Sequence, residues 1–156
     1  MRRDDRATAG QRMSGKLKLR AEDTEDIAVI AACLQDALVM VADMAYLPDD
    51  RRFVMVANRF RWEEGVGSGD GRAPFSRVNC GVRFDGVVRV RRRHIDRMKP
   101  GRTLELLTIR AGDGYVDLVF AGGAEIRLDA AAISCHIEDL DEPWPTRVRP
   151  THTDQA

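Results

Sequence analysis

The chain has 156 residues, of which 44% are hydrophobic and 32% charged, a composition typical of a globular domain with a full core and not of a disordered chain. The 25 basic residues balance the 25 acidic ones, so the overall positive charge of many nucleic-acid-binding domains is missing. The apolar runs are shorter than the ~20 residues of a membrane-spanning helix, and no apolar signal segment follows the first arginines, which predicts a cytoplasmic protein outside the membrane.

The two ends of the chain contain little that could be buried. Residues 1–12 carry four arginines but no periodic apolar positions, and the end of the chain contains several prolines. We therefore predict a disordered extension over residues 1–12, a single globular domain over residues 13–144 and an extended tail over residues 145–156.

A short strand and a helix are the first predicted elements. Leu17 and Leu19 alternate with charged residues, which favours a strand. Between residues 24 and 36 the pattern changes to that of an amphipathic helix, and either Asp23 or Thr24 can accept hydrogen bonds from its first free amides. The apolar residues that recur at the spacing of one helix face are Ile27, Ile30, Ala31, Leu34 and Leu38.

A hairpin and a long loop follow the helix. Residues 38–47 and 53–62 contain the β-branched and aromatic residues typical of strands, and Pro48-Asp49-Asp50 between them is typical of a turn. Residues 63–74 contain four glycines among acidic residues, so we predict that they form the longest loop.

The next segment is predicted to be one long strand. Its apolar residues share even positions and are Val78, Cys80, Val82, Phe84, Val88 and Val90. A two-residue hairpin at Asp85-Gly86 would pair Val82 with Arg89 and would place arginine on the core side. A continuous strand avoids this, with Gly86 allowing a bulge or a bend. Because Cys80 shares the core positions, we expect a buried, unreactive thiol.

Three further strands are predicted at residues 104–110, 115–120 and 124–129. The pairing of apolar residues across the last two strands indicates the length of the loop between them. A three-residue loop ending at Gly123 pairs Leu118 with Ile126, whereas a two-residue loop would pair Leu118 with Arg127. We therefore predict the three-residue loop, in which Gly123 supplies the left-handed residue.

The last predicted element lies near residue 135, where apolar and polar residues alternate. Ile133, Cys135 and Ile137 alternate with polar residues, which favours a strand, although Ile133, Ile137 and Leu140 also fit one face of a helix. The order of elements predicts an α+β fold: one N-terminal amphipathic helix packed on a curled antiparallel sheet or partial barrel of six to eight strands.

Three stretches of the sequence are distinctive: LKLRAEDTEDIAVIAACLQD at 17–36, ALVMVADMAYLPDDRRFVMVANRFRW at 37–62 and FAGGAEIRL at 120–128. Together they resemble a bacterial family known as domain of unknown function 2948, over about residues 17–144. The resemblance implies a compact bacterial domain, and it supplies no catalytic residue and no ligand.

The candidate binding residues lie in a basic segment. Residues 87–102 contain seven basic residues and one acidic residue. On a strand, Arg89, Arg91 and Arg93 point to one face at intervals of about 6.6–6.8 Å and could bind carboxylates or phosphates with paired hydrogen bonds. The competing interpretation is a solvated face neutralised by the protein's own acids. One such cluster of acids is Glu138, Asp139, Asp141 and Glu142, and residues 21–50 carry eight acidic residues and no basic one.

These observations predict a non-catalytic interaction module, whose partner is an acidic protein surface or a second copy of the chain. Trp144 is a further candidate contact residue, although its ring could instead hold the tail onto the sheet. RNA binding through residues 87–102 is one alternative, and a small enzyme or ligand-binding domain with a pocket built from distant residues is another. We predict no catalytic residue and no cofactor, because no catalytic or phosphate-binding motif is present. We also predict no metal site, because Cys135 and His136 are adjacent on a strand and point to opposite faces.

Overall fold

A computed structural model describes residues 16–61, 75–141 and 144–146, with Phe75 and residues 144–146 described by their backbone alone. The predicted N-terminal extension, the predicted loop at 63–74 and most of the predicted tail lie outside this range. In chain order the elements are β1 (Lys18–Ala21), α1 (Thr24–Leu34), β2 (Leu38–Leu47), β3 (Arg52–Phe60), β4 (Phe75–Asp85), β5 (Val87–Arg93), β6 (Thr103–Gly112), β7 (Tyr115–Phe120), β8 (Glu125–Ala130), β9 (Cys135–Asp139) and β10 (Trp144–Thr146).

The strands form one open antiparallel sheet in the order β1-β9-β4-β3-β2-β6-β7-β8-β5, and β10 also pairs with β4. The predicted α+β class is confirmed. The sheet is open and not a partial barrel, the described residues form ten strands where six to eight were predicted, and the helix lies between the first two strands. The sheet consists of two halves that meet where β2 pairs with both β3 and β6. The apolar inner faces of the two halves and the buried side of α1 share one core.

The helix follows β1 and ends earlier than predicted. Asp23 caps it by accepting a 2.8 Å hydrogen bond from the amide of Asp26. The helix ends at Leu34 because Asp36 takes a left-handed conformation, with φ 66°, and donates its amide to the carbonyl of Leu106 at 2.8 Å. The assignment of Leu38 to the helix face was therefore wrong. Leu38 begins β2, where it is 38% exposed.

The predicted hairpin of β2 and β3 is present, but β2 contains a wide bulge. Val39 and Met44 are five residues apart on β2, but their partners on β3 are only two residues apart. Within the bulge, the amides of Val41 and Ala42 donate at 2.9 Å to carbonyls of the segment just before β6. The bulge therefore turns β2 away from β3 and towards the second half of the sheet.

The predicted long strand is also present, as β4 and β5 joined by a bend at Gly86, where φ is 76°. The side-chain alternation shifts at the bend, so that Val87 is buried and Val88 is 57% exposed. The placement of Val88 in the core was therefore wrong. A second shift, between Val87 and Arg89, restores the predicted alternation for the rest of β5.

Two turn and strand assignments near the end of the chain are confirmed. The turn Ala121–Gly123 connects β7 to β8 in the predicted register, with Leu118 opposite Ile126. Gly123 has a φ of 85°, and Gly122 is left-handed as well. Residues 135–139 form a strand and not a helix. The structure places Cys135 in the core and His136 on the opposite face.

Candidate functional site

The three predicted arginines lie on the outer face of β5, the last strand of the sheet, and we call Arg89, Arg91 and Arg93 the arginine face. The alternation of β5 directs them away from the core, while Val90 and Arg92 are half-buried on the inner side. The exposed fraction of the side chain is 48% for Arg91 and 70% for Arg93. The arginine face is thus open to solvent.

Acidic residues of β8 contact two of these arginines. One guanidinium nitrogen of Arg91 donates to both carboxylate oxygens of Asp129, at 2.7 and 3.0 Å. Arg93 lies 3.8 Å from the carboxylate of Glu125. No ion pair joins Arg89 to the described residues. The described acidic residues therefore neutralise the arginine face only in part.

Two of the acids that could have neutralised this face, Asp139 and Asp141, lie elsewhere. Asp139 is buried beside Arg59, with hydrogen bonds of 2.9 and 3.0 Å between the two side chains. Asp141 accepts from the side chain of Asn79 at 3.1 Å, and Glu142 is outside the described residues. Both contacts are in the half of the sheet opposite β5, so Asp139 and Asp141 do not neutralise the arginine face.

An aromatic ring that the sequence did not single out lies on the same outer face, two strands away. Arg127 lies over the ring of Tyr115, 3.9 Å from its centroid. It also forms a two-pronged pair with Asp117, at 2.8 Å for each hydrogen bond. This pairing raises the pKa of Arg127. Strand alternation along β7 and β8 could have placed these residues on one face.

Across β5 to β8, the outer face carries more arginine than carboxylate. The charged residues that share this face by register are Arg89, Arg91, Arg93, Arg110, Arg127, Asp117, Glu125 and Asp129, and Glu105 joins them because it alternates with the buried Leu104 and Leu106 on β6. Five guanidinium groups therefore share this surface with four carboxylates. The excess positive charge favours an anionic partner.

The segment after β5 extends the positive surface. Arg102 donates to the backbone carbonyl of His94 at 2.7 Å, which holds the two ends of the segment together. Between them Met98 is 85% exposed. Burial is the main cause that lowers the pKa of Arg92, and the positive charge of nearby Arg97 lowers it further.

Trp144 belongs to β10, where its backbone pairs with that of Arg77 on β4. The arginine face lies on β5, at the end of the sheet, whereas β4 lies between β9 and β3. The structure therefore does not bring Trp144 and the arginines together on one strand. Its role as a contact residue stays a prediction.

Two of the three cysteines, Cys80 and Cys135, lie in settings that do not activate their thiols. Burial is the main cause that raises the pKa of Cys80 to about 12, and it also raises the pKa of Cys135. Both thiols are therefore protonated at neutral pH. Among the described residues, no group of three or more His, Cys, Asp or Glu side chains could hold a metal ion.

Comparison with known proteins gives one match. Residues 17–152 match the family model described as "Protein of unknown function (DUF2948)". The chain belongs to this family. No curated protein and no solved structure matches the chain. The single α-helix of the described part of the chain is eleven residues long, and no helix there has the length and apolarity of a membrane span.

Proposed function

We propose that this member of the DUF2948 family is a non-catalytic protein-interaction module of the bacterial cytoplasm, and that it binds an acidic protein surface through Arg89, Arg91 and Arg93. The observation that carries the proposal is the arginine face: three arginines at alternate positions on an exposed edge strand, only partly neutralised by Asp129 and Glu125. The free state of all three cysteines supports a reducing compartment.

The internal ion pairs of the arginine face do not prevent such binding. Arg91 and Arg93 pair with β8 carboxylates while about half or more of each arginine side chain stays exposed. Exposed pairs of this kind contribute about 0–1 kcal/mol, so a carboxylate of a partner can replace or share the contact at little cost. Guanidinium groups form paired hydrogen bonds with carboxylates, which favours an acidic partner over a neutral one.

The buried thiols support a role without covalent catalysis. A cysteine nucleophile needs a lowered pKa and access to substrate. Cys80 and Cys135 have raised pKa values and are inaccessible.

The proposal is tested by capture of partners from native lysate with a double variant, Arg89→Glu with Arg93→Glu. This variant leaves the Arg91–Asp129 contact in place. The matched control is Lys18→Glu with Arg20→Glu, the same charge change on exposed residues of β1, at the other edge of the sheet. We expect the wild type and the control to retain an acidic partner that the β5 variant loses.

Two further conditions make the result specific. Capture should survive nuclease treatment and weaken as salt is added, because screening reduces contacts between exposed charges. Equal capture by the wild type and the β5 variant would contradict the proposal. Loss of capture on nuclease treatment would instead assign the arginine face to nucleic acid.

A further inference from the structure

β5 has an open edge along most of its length. It pairs with β8 on one side and ends the sheet on the other. Its first residue is anchored, since the amide of Val87 donates to the carbonyl of Arg51 at 2.8 Å and the hydroxyl of Tyr46 donates to the carbonyl of Val87 at 2.7 Å. From Val88 to Arg93, no residue that the structure describes pairs with the outer edge.

The turn between β7 and β8 determines where the backbone groups of β8 point. The amide of Phe120 donates to the carbonyl of Ala124 at 2.9 Å, so this pair is hydrogen-bonded. Hydrogen-bonded pairs occur at every second position of an antiparallel ladder. Ile126 and Leu128, two and four residues after Ala124, therefore direct their N–H and C=O groups towards β7.

The pairing of β8 with β5 then identifies the open groups of β5. Val90 lies opposite Leu128, and Arg92 lies opposite Ile126. The backbone N–H and C=O groups of Leu128 and Ile126 point to β7 and cannot bond to β5. The pairs Val90–Leu128 and Arg92–Ile126 are therefore non-hydrogen-bonded pairs of the β5–β8 ladder. The N–H and C=O groups of Val90 and Arg92 consequently point out of the open edge, where they can bind another strand.

We propose that β5 accepts an extended acidic peptide segment of a partner protein as an additional strand, paired through the backbone of Val90 and Arg92. The inference rests on the proposed function and specifies its partner and its binding mode. In an added strand, alternate side chains lie on the outer face of the sheet beside the arginine face. Carboxylates at alternate positions of the peptide would then lie next to Arg89, Arg91 and Arg93 and pair with them.

The charges decide between an acidic peptide and a second copy of β5. Two β5 strands paired edge to edge would bring their arginine faces side by side, and like charges on neighbouring strands are destabilising. Asp129 and Glu125 do not occupy the open edge, because they belong to β8 on the other side of β5. The arginine face thus disfavours self-pairing and selects a strand of opposite charge.

The test uses a capped peptide of seven residues in which valine and glutamate alternate, with a control peptide in which lysine replaces glutamate. The informative variants are Arg92→Pro and Arg92→Ala. Both lose the Arg92 side chain, but only proline loses the N–H group that points out of the edge. An edge strand tolerates proline at such a position. We expect the glutamate peptide to bind, and Arg92→Pro to bind it at least about tenfold more weakly than Arg92→Ala.

Amide hydrogen exchange on the wild type gives an independent measurement if Arg92→Pro does not fold. The amides of Val90 and Arg92 should exchange fast in the free protein and slow down when the glutamate peptide is added. Equal binding by the two Arg92 variants, with unchanged exchange at both amides, would overturn strand addition. Loss of binding by Arg89→Glu with Arg93→Glu would in that case still support the proposed function through side chains alone.

The peptide experiment also distinguishes an acidic peptide from the other possible ligands of the β5 edge. Binding of the lysine peptide as tightly as the glutamate peptide would overturn the selection by charge. A wild-type protein that forms a dimer disrupted by Arg92→Pro, but not by Arg92→Ala, would show that β5 pairs with itself and would overturn the acidic-peptide assignment. The capture experiment described above tests the proposed function without reference to strand addition.

Discussion

Arg59 and Asp139 place an ion pair inside the core, with both side chains fully buried. Arg59 contacts both carboxylate oxygens of Asp139, and the backbone amide of Leu17 donates to the same carboxylate at 2.8 Å. The contact therefore connects β3, β9 and the residue before β1. Satisfied hydrogen bonds are what make a buried charge tolerable, so the pair depends on all of these partners.

Removal of one partner should be costly. We expect Arg59→Met to lower the free energy of unfolding by about 3–5 kcal/mol, because it leaves the Asp139 carboxylate buried without its counter-charge. Urea unfolding measures the change. Arg91→Met is the control, since it breaks an exposed pair and should cost no more than about 1 kcal/mol. A similar, small cost for both variants would contradict the assigned role of the buried pair.

His136 lies in a charged setting on the outer face of β9. Its Nδ1 atom is 3.1 Å from a guanidinium nitrogen of Arg83 and 3.7 Å from a carboxylate oxygen of Asp85. Burial is the main cause that lowers the pKa of His136 from its ordinary value, and the positive charge of Arg83 adds to it. Asp85 and Glu22 act in the opposite direction, and Arg20 in the same direction as Arg83.

This lowered pKa should make stability depend on pH. Well above pH 6.5, the ordinary pKa, His136 is neutral in both the folded and the unfolded chain. As the pH falls from about 6.5 towards the lower pKa of the folded state, the unfolded chain takes up the proton first, so the fold loses stability over this range. Urea unfolding at about pH 7.5 and about pH 5.5 should show a smaller decrease for His136→Asn than for the wild type. His94→Asn, a change on an exposed residue, should keep the wild-type decrease, and equal decreases in all three proteins would contradict the prediction.

The outcome for single residues shows what alternation in the sequence can and cannot predict. Alternation along β3 assigns Arg59 to the same face as Phe53, Met55 and Ala57, all buried, so a core arginine could have been recognised. Its partner could not, because Asp139 is 80 residues away and lies among other acids. The pairing depends on the strand order, which places β9 and β3 on either side of β4.

At the scale of elements, local signals predicted the strands other than β10 and the short turns, whereas long-range hydrogen bonds decided the irregularities. The bulge of β2 is absent from the sequence pattern because its amides bind the segment before β6, about 60 residues away. Arg89, Arg91 and Arg93 keep the predicted alternation because two irregularities near the start of β5 cancel. Gly86 shifts the alternation once, and the bulge between Val87 and Arg89 shifts it back.

Gly86 should resist substitution because of its backbone. With φ at 76°, Gly86→Ala would place a side chain in a left-handed conformation and should cost about 1–2 kcal/mol, even though a Cβ there meets no atom within 4 Å. Gly101→Ala is the matched control: its Cβ also meets no atom within 4 Å, and its φ is not positive. Thermal melts compare the two variants, and an equal effect would show that the bend tolerates alanine.

At the scale of the whole molecule, the domain should tolerate loss of its first residues but not of β1. Deletion of residues 1–12 should change the free energy of unfolding by less than about 1 kcal/mol, since they contain no periodic apolar residues. Deletion of residues 1–21 should cost more than about 3 kcal/mol. It removes β1, the buried Leu17 and Ala21, and a hydrogen bond to Asp139. Urea unfolding measures both, and a large cost for the shorter deletion would show that the extension docks on the domain.

The continuous strand formed by β4 and β5 bears on the cooperativity of the fold. β4 lies between β3 and β9 in one half of the sheet, and the same strand continues past Gly86 to pair with β8 in the other half. Neither half can lose its structure without breaking a strand that the other half shares. The two halves should therefore form one cooperative unit, with a calorimetric enthalpy equal to the van't Hoff enthalpy.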